Sequence, residues 1–377
     1  MESTVYRRDA TGAIIGTPEA LAESKPRKST TPRAAQSQPK AKKIKQRDTA
    51  PKLPKATKSK SRYPRWVRIV RNIVLGYLAF YIFLGFYAAS SFHKIPAGPV
   101  NAIADTAGTN WLLVGSDSRD GLTKKEQHKL HTGGDFGPQR TDTIMLIHIG
   151  NKGTTLISLP RDSYITIPAH TALDGTKVED RKNKINSAYG KGGAPLLVET
   201  VERNTGLHID HYMEVGFKGI RDITNAVNGV NMCIPNDVSD ANSGLRLKAG
   251  CQKLDGTQAL GYVRMRYADP KGDLGRVERQ QQYLSAVMHQ VSKPSVLLNP
   301  IAMFHLVASG TDSVLVGKGD GVKDVAQLAS AMRALSNGKG KLITVPVSNP
   351  DATTAVGSSV LWDKSAAAKL FKSLGAN

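Results

Sequence analysis

Arginine is the residue whose spacing in this chain asks for a chemical explanation. Arg264, Arg266, Arg276 and Arg279 fall within VRMRYADPKGDLGRVERQQ, Val263 to Gln281, together with Asp269 and Asp273. Further couples punctuate apolar stretches: Asp117 and Arg119 follow LLVGS, Arg140 and Asp142 open TIMLIHI, and Arg161 and Asp162 close TLISLP. Guanidinium groups on ordered structure must either pair internally or hold a polyanion, because a buried unpaired charge is too costly. The carboxylates are too few to neutralise every arginine, and arginine's planar fork grips phosphate oxygens two at a time. The pattern points to a ligand the size of a diphosphate. Two carboxylates in such a basic pocket would suit a hard divalent cation sharing the phosphate oxygens.

Those side chains need elements to aim them. Val263–Tyr267 is expected as a strand, which would set Arg264 and Arg266 on one face and Val263, Met265 and Tyr267 on the other. RVERQQQYLSAVMHQV is expected as a helix, with Arg276, Gln280 and Tyr283 on one side beside a stripe of Val277, Leu284, Val287 and Val291. Arg276 and Gln280 then lie near the helix N-terminus, where the dipole favours anions, while Arg279 falls off that row. Trp111–Val114, TDTIMLIHIG and TTLISLPRD read as strands too continuously apolar for one-face burial, so they belong inside a sheet covered on both sides. HYMEVGF, VNMCIP and KLITVPV add strands; GAPLLVETVERNTG, KGIRDITNAVNG, DVAQLASAMRAL and KSAAAKLFKSL add helices. The expected fold class is α/β, an α+β sandwich with a central mixed sheet flanked by helices on both faces. Polar residues at the ends of buried strands line the crevice where such sheets bind ligands.

Hydrolytic alternatives fail on inventory. There is no Gly-x-Ser-x-Gly elbow, no His-Glu-x-x-His and no Walker loop, and the nine histidines show no metal-ligand spacing. GKGG at 190–193 and GKGDG at 317–321 read as turns.

The formal net charge of +21 suggests nucleic acid until it is located. Residues 1–71 hold 19 Lys/Arg against 5 Asp/Glu, a net of +14, which leaves +7 for the other 306 residues. Residues 1–65, rich in Lys, Pro, Ser and Thr, cannot bury enough apolar surface to fold and read as a disordered cytoplasmic tail. Residues 66–92 read as a transmembrane anchor: Asn72 to Phe92 is free of charge for 21 positions, about 31 Å as a helix. Arg62, Arg65, Arg68 and Arg71 precede it and only Lys94 closely follows, so the N-terminus is expected inside and the remainder outside the cell membrane. A preceding region of some 70 residues is too long for an ordinary cleaved signal. A linker, 93–108, then leads to the extracytoplasmic domain, 109–377. Cys233 and Cys251 bracket a loop between two short extended pieces and could meet, as a disulfide outside the membrane or as two buried thiols.

Together the motifs resemble the LytR–CpsA–Psr family of cell-wall glycopolymer ligases. The matching pieces, in the family's order, are LLVGSDSR, RTDTIMLIHI, LISLPRDSYITIP, KINSAYGKGG, LDGTQALGYVRMRY and GDLGRVERQQ, between residues 111 and 281. Thr141 stands where serine is usual, NAVNGV where a double glycine is common, and the span between Arg119 and Arg140 is lengthened. The resemblance implies transfer of a glycan from a polyprenyl diphosphate donor to a peptidoglycan acceptor through a phosphodiester. It implies Asp117 and Asp142 as ligands of Mg²⁺, or Mn²⁺ in its place, with Arg119, Arg140, Arg161, Lys184, Arg264, Arg266, Arg276 and Gln280 on the diphosphate. Arg140, Arg264 and Arg266 with the two aspartates would carry the catalysis. The long tail and the cysteines look like an actinobacterial member, which favours arabinogalactan over teichoic acid as the polymer.

Three competing functions are a diphosphatase that uses water instead of the acceptor, a membrane-bound transcriptional regulator acting through the tail, and a passive binder of anionic wall polymer. The tail carries no helix-turn-helix or other nucleic-acid reader, so no nucleic-acid partner is expected.

Overall fold

The computed structural model describes residues 64–133, 140–172, 174–265 and 272–376. The expected tail lies almost wholly outside these residues, as does Arg266. Helix α1, Arg65–Ser91, carries the charge-free run. It is the one helix among the described residues long and apolar enough to cross a membrane, and only 11% of its most apolar window is buried, which separates it from a core helix.

The first strands along the chain are His93–Ile95 (β1), Thr109–Ser116 (β2), Thr141–Gly150 (β3) and Gly153–Ser158 (β4). The central sheet has seven strands in the order β1, Val314–Gly317, His211–Val215, β2, β3, β4, Gly340–Thr344. Its pairings are mixed: β2 runs antiparallel to β3 and parallel to His211–Val215, while β4 is antiparallel to β3 and parallel to Gly340–Thr344.

The helices after α1 are α2 (Lys124–Lys129), α3 (Asn186–Thr205), α4 (Phe217–Ala226), α5 (Gly256–Arg264), α6 (Gly272–Val291), α7 (Pro294–Leu297), α8 (Pro300–Ser313), α9 (Val322–Ser336) and α10 (Lys364–Ser373). Strand side chains alternate, and each face is covered. Leu112, Ile144, Leu146 and Ile157 pack with Leu197 and Val201 of α3 and Phe371 of α10. Trp111, Met145, Ile147 and Leu156 pack with Leu328, Met332 and Leu335 of α9. A further core joins α4, α5, α6 and the Val230–Ile234 and Gly250–Leu254 hairpin. The continuous apolar runs of β2 to β4 therefore meant what the sequence suggested: both faces are dry.

One expected strand is a helix. Val263 and Arg264 end α5, and Tyr267 lies outside the described residues. The reason is local. Asp255 caps the helix by accepting from the Gln258 amide, Gln258 returns the bond, and Ala259, Leu260 and Val263 follow at helical spacing toward the second core. Met265 then leaves the helix in an extended conformation. Arg264 therefore follows helical and not strand alternation, while the common face expected with Arg266 lies outside the described residues. Gly256 makes this packing possible, since a Cβ there would meet the Arg221 carbonyl oxygen at 2.2 Å.

The GKGG stretch is a break within α3, where Gly193 adopts φ 66 before Pro195 restarts the helix. Asn228 and Gly229 both hold positive φ, 59 and 79, a turn that asparagine tolerates in place of glycine. Cys233 and Cys251 stand directly opposite each other in their hairpin, with sulfurs within bonding distance.

Candidate active site

The site begins where the β2–β3 ladder becomes irregular. Gly115 pairs with Thr143 and Ser116 with Thr141, so Asp142 is the extra residue of a bulge. Such a bulge re-aims a side chain at the end of a strand. Just beyond it, Asp117 and Arg140 exchange backbone contacts: the Asp117 amide donates to the Arg140 carbonyl at 3.0 Å, and the Arg140 amide donates to Asp117 Oδ1 at 2.8 Å. The Arg140 guanidinium is exposed and makes no hydrogen bond or ion pair among the described residues. From the loop after β4, Arg161 donates to Asp142 Oδ1 at 2.5 Å and reaches Asp162 at 3.3 Å; Lys184 holds the other oxygen of Asp162 at 2.9 Å.

Two arginines grip one short segment, Leu130 to Thr132. Arg119 donates through Nε and Nη2 to the Thr132 carbonyl, at 3.1 and 2.7 Å. Arg264 donates to the carbonyls of Leu130 and His131, both at 3.1 Å, and lies 4.7 Å from the centre of the Phe217 ring. No carboxylate among the described residues comes within ion-pair distance of Arg264. Burial lowers its pKa, Asp142 opposes that, the Arg119 charge adds to it, and Asp117 opposes it more weakly. These four side chains, from three separate stretches of sequence, therefore share one electrostatic neighbourhood.

Arg276 and Gln280 are buried on α6, and Gln280 donates to the Val263 carbonyl at 3.4 Å. Arg279 is buried as well and donates to the Met265 carbonyl, so α6 fastens the C-terminal end of α5. Helical spacing alone had turned Arg279 away from this row; the extended exit at Met265 brings a carbonyl to meet it.

A family model described as the LytR_cpsA_psr family matches residues 88–373. The chain belongs to that family. The "Probable cell wall biosynthesis protein LcpB" of Corynebacterium glutamicum is 43% identical over 291 residues, 76% of this chain and 66% of that protein. The "Polyisoprenyl-teichoic acid--peptidoglycan teichoic acid transferase TagU" of Enterococcus faecalis is 37% identical over 154 residues, 40% of this chain and 47% of that one. The chain thus spans just under two thirds of the first relative and under half of the second. Among solved structures, the "LytR-Csp2A-Psr enzyme from Actinomyces oris" has a TM-score of 0.57 over 76% of this chain and 97% of that one, a likeness of fold at 21% identity.

The residues of this LytR_cpsA_psr chain fit a divalent cation by donor chemistry. Asp117 uses Oδ1 for the Arg140 amide and Asp142 uses Oδ1 for Arg161, and each second oxygen is without a hydrogen bond among the described residues. Carboxylate oxygens at a partly exposed rim are the ligands that hard cations take.

Sequence reading passed over one cluster beside this rim. Glu214, in the His211–Val215 strand of the sheet, is buried and accepts the hydroxyls of Tyr189 at 2.8 Å and Tyr212 at 2.8 Å. Burial raises the pKa of both phenols, Glu214 raises them further, and the charges of Asp120 and Asp117 also reach Tyr189. A signal existed: Glu214 is a lone acid at an inward position of HYMEVGF, and Tyr189 sits within KINSAYGKGG.

A second polar group, His211, Asp320 and Asp324, lies at the other end of the same strands, where His211 stacks on Trp111 with ring centres 4.5 Å apart. Asp320 is saturated by the His211 ring and the amides of Tyr212 and Gly317, which reads as a structural clamp rather than an ion site.

Proposed function

We propose that this chain is a membrane-anchored phosphotransferase that moves a glycopolymer from a polyprenyl diphosphate carrier onto peptidoglycan, leaving a phosphodiester. The observation that carries this reading is the convergence of Arg119, Arg264, Asp117 and Asp142 around one rim, with a guanidinium held by carbonyls and a ring rather than by a carboxylate. The names printed for the relatives, a cell wall biosynthesis protein and a teichoic acid transferase, agree in class.

In this reading Arg264, Arg119 and Arg140 neutralise the non-bridging oxygens of the diphosphate, and Arg161 and Lys184 hold Asp142 and Asp162 in place. Asp117 and Asp142 would hold Mg²⁺, which would supply a further offset to the phosphate charge. An acceptor hydroxyl attacks the sugar-bearing phosphorus in line, the new P–O bond forms as the phosphoanhydride P–O bond breaks, and polyprenyl phosphate departs. The hydroxyl proton passes to a carboxylate of the rim. Arg266, Arg276 and Gln280 complete the anion site. The chain's N-terminus faces the cytoplasm, the folded domain lies outside, and the Cys233–Cys251 pair is oxidised there. The likeness to the Corynebacterium glutamicum protein, stronger than that to the Enterococcus faecalis one, favours arabinogalactan as the cargo.

The test supplies the full chain in detergent with a polyprenyl-diphosphate-linked glycan, an acceptor glycan and Mg²⁺. A joined phosphodiester product is expected. Release of glycan phosphate with no joined product, at saturating acceptor, identifies a diphosphatase instead.

A further inference from the structure

We infer that α7 and α8 form a second membrane element, a re-entrant wedge that lies beside α1 within the outer part of the bilayer. The inference rests on α1 being the anchor and concerns a surface that the proposed chemistry does not use.

Helix α8 runs alongside α1 in the same direction, and the end of α7 meets α1 where α8 begins. The hydroxyls of Tyr77 and Tyr81 donate to the carbonyls of Leu298 and Leu297, the Tyr87 and Phe304 rings sit 5.5 Å apart, and His93 meets the Thr311 carbonyl at 3.0 Å. Tyr77 and Tyr81 stand 15 and 11 residues before Phe92, which is about 22 and 16 Å down the helix axis. The charge-free run of α1 is about 31 Å, which leaves little slack in a hydrocarbon core of about 30 Å. Sliding α1 outward until Leu298 was clear of lipid would draw Arg71, Arg68 and Arg65 into the core. The bilayer that surrounds α1 therefore surrounds the tip of α7 and α8 too.

The sequence and surface of the wedge agree. From Pro294 to Thr311 there is no Lys, Arg, Asp or Glu, and His305 is the one titratable side chain. Leu298 is 65% exposed and Ile301 70% exposed, facing away from the protein. Lipid offers no partner for backbone polar groups, so each must be met internally. At the tip, the last carbonyls of α7 accept the two tyrosine hydroxyls, and Asn299 accepts the first amides of α8, Ile301 at 3.0 Å and Ala302 at 3.2 Å. On its inner side α8 packs on α4, whose Phe217 underlies Arg264. The wedge thereby fixes the height of the candidate site above the lipid.

The full chain, carrying Leu298→Cys or Ile301→Cys labelled with an environment-sensitive nitrobenzoxadiazole dye, would be reconstituted in phosphatidylcholine–phosphatidylglycerol vesicles. Ile73→Cys on α1 and Ser365→Cys at the start of α10 serve as lipid and water references. The wedge labels are expected to emit to the blue of the Ser365 label, with quenching by spin-labelled lipid at least threefold stronger and protection from iodide. Wedge labels quenched by iodide like Ser365, with the Ile73 label still lipid-quenched, would overturn the wedge and leave the anchor standing. An Ile73 label open to iodide would overturn both.

Discussion

Arg264 shows how a single side chain is tuned by its surroundings. Burial, the nearby Arg119 charge and the absence of a carboxylate mate among the described residues all favour an anion arriving over it. Arg264→Ala should remove nearly all turnover with little loss of thermal stability, whereas Arg264→Lys should retain a small fraction, because a point charge replaces a fork. Initial rates and melting curves on both variants check this; a gradual weakening of polymer binding with turnover intact would instead favour a passive binder. Tyr189 tests the buried carboxylate beside the rim. Tyr189→Phe leaves Glu214 with one hydroxyl donor, which should cost about 2 kcal/mol and lower the melting temperature by about 5 °C.

At the scale of elements, the sheet presents opposite chemistry at its two ends. The β2–β3 bulge lies at one end, beside the candidate site, and the His211–Asp320 clamp lies at the other. Burial pushes the His211 pKa down, but the hydrogen bond and charge of Asp320 outweigh it and the net shift is upward from 6.5. The protonated ring is therefore favoured by folding, so its contribution is fully present below pH 6.5 and is lost as pH rises through the folded value. Melting temperature should fall as pH rises above 6.5, and His211→Gln should flatten that fall. Burial shifts His148 downward, so its effect is confined to lower pH and does not overlap. The strands of the sheet were legible because two-sided burial writes an apolar run. Helix α5 was misread because VRMRY alternates like a strand, and only the Asp255 cap upstream marks it otherwise.

For the whole molecule, most of the charge is a property of the tail and not of the domain that carries the candidate site. A chain lacking residues 1–60 should keep most of its transfer activity when reconstituted, since the anchor and the rim residues remain. Loss of all function in that deletion, with the protein still in the membrane, would move weight to the regulator reading.

Sequence by itself determined the long uncharged helix, the two-faced sheet and the types of residue at the rim. Each of these is written in short-range pattern: uncharged length, apolar continuity and the polar residues that end a strand. Tertiary structure decided which of those residues meet. The charges of Asp142 and Asp117 reach Arg264 at the end of α5, which α6 fastens, and Glu214 meets Tyr189 across 25 positions of chain. Such meetings depend on packing between distant segments, which residue spacing does not encode.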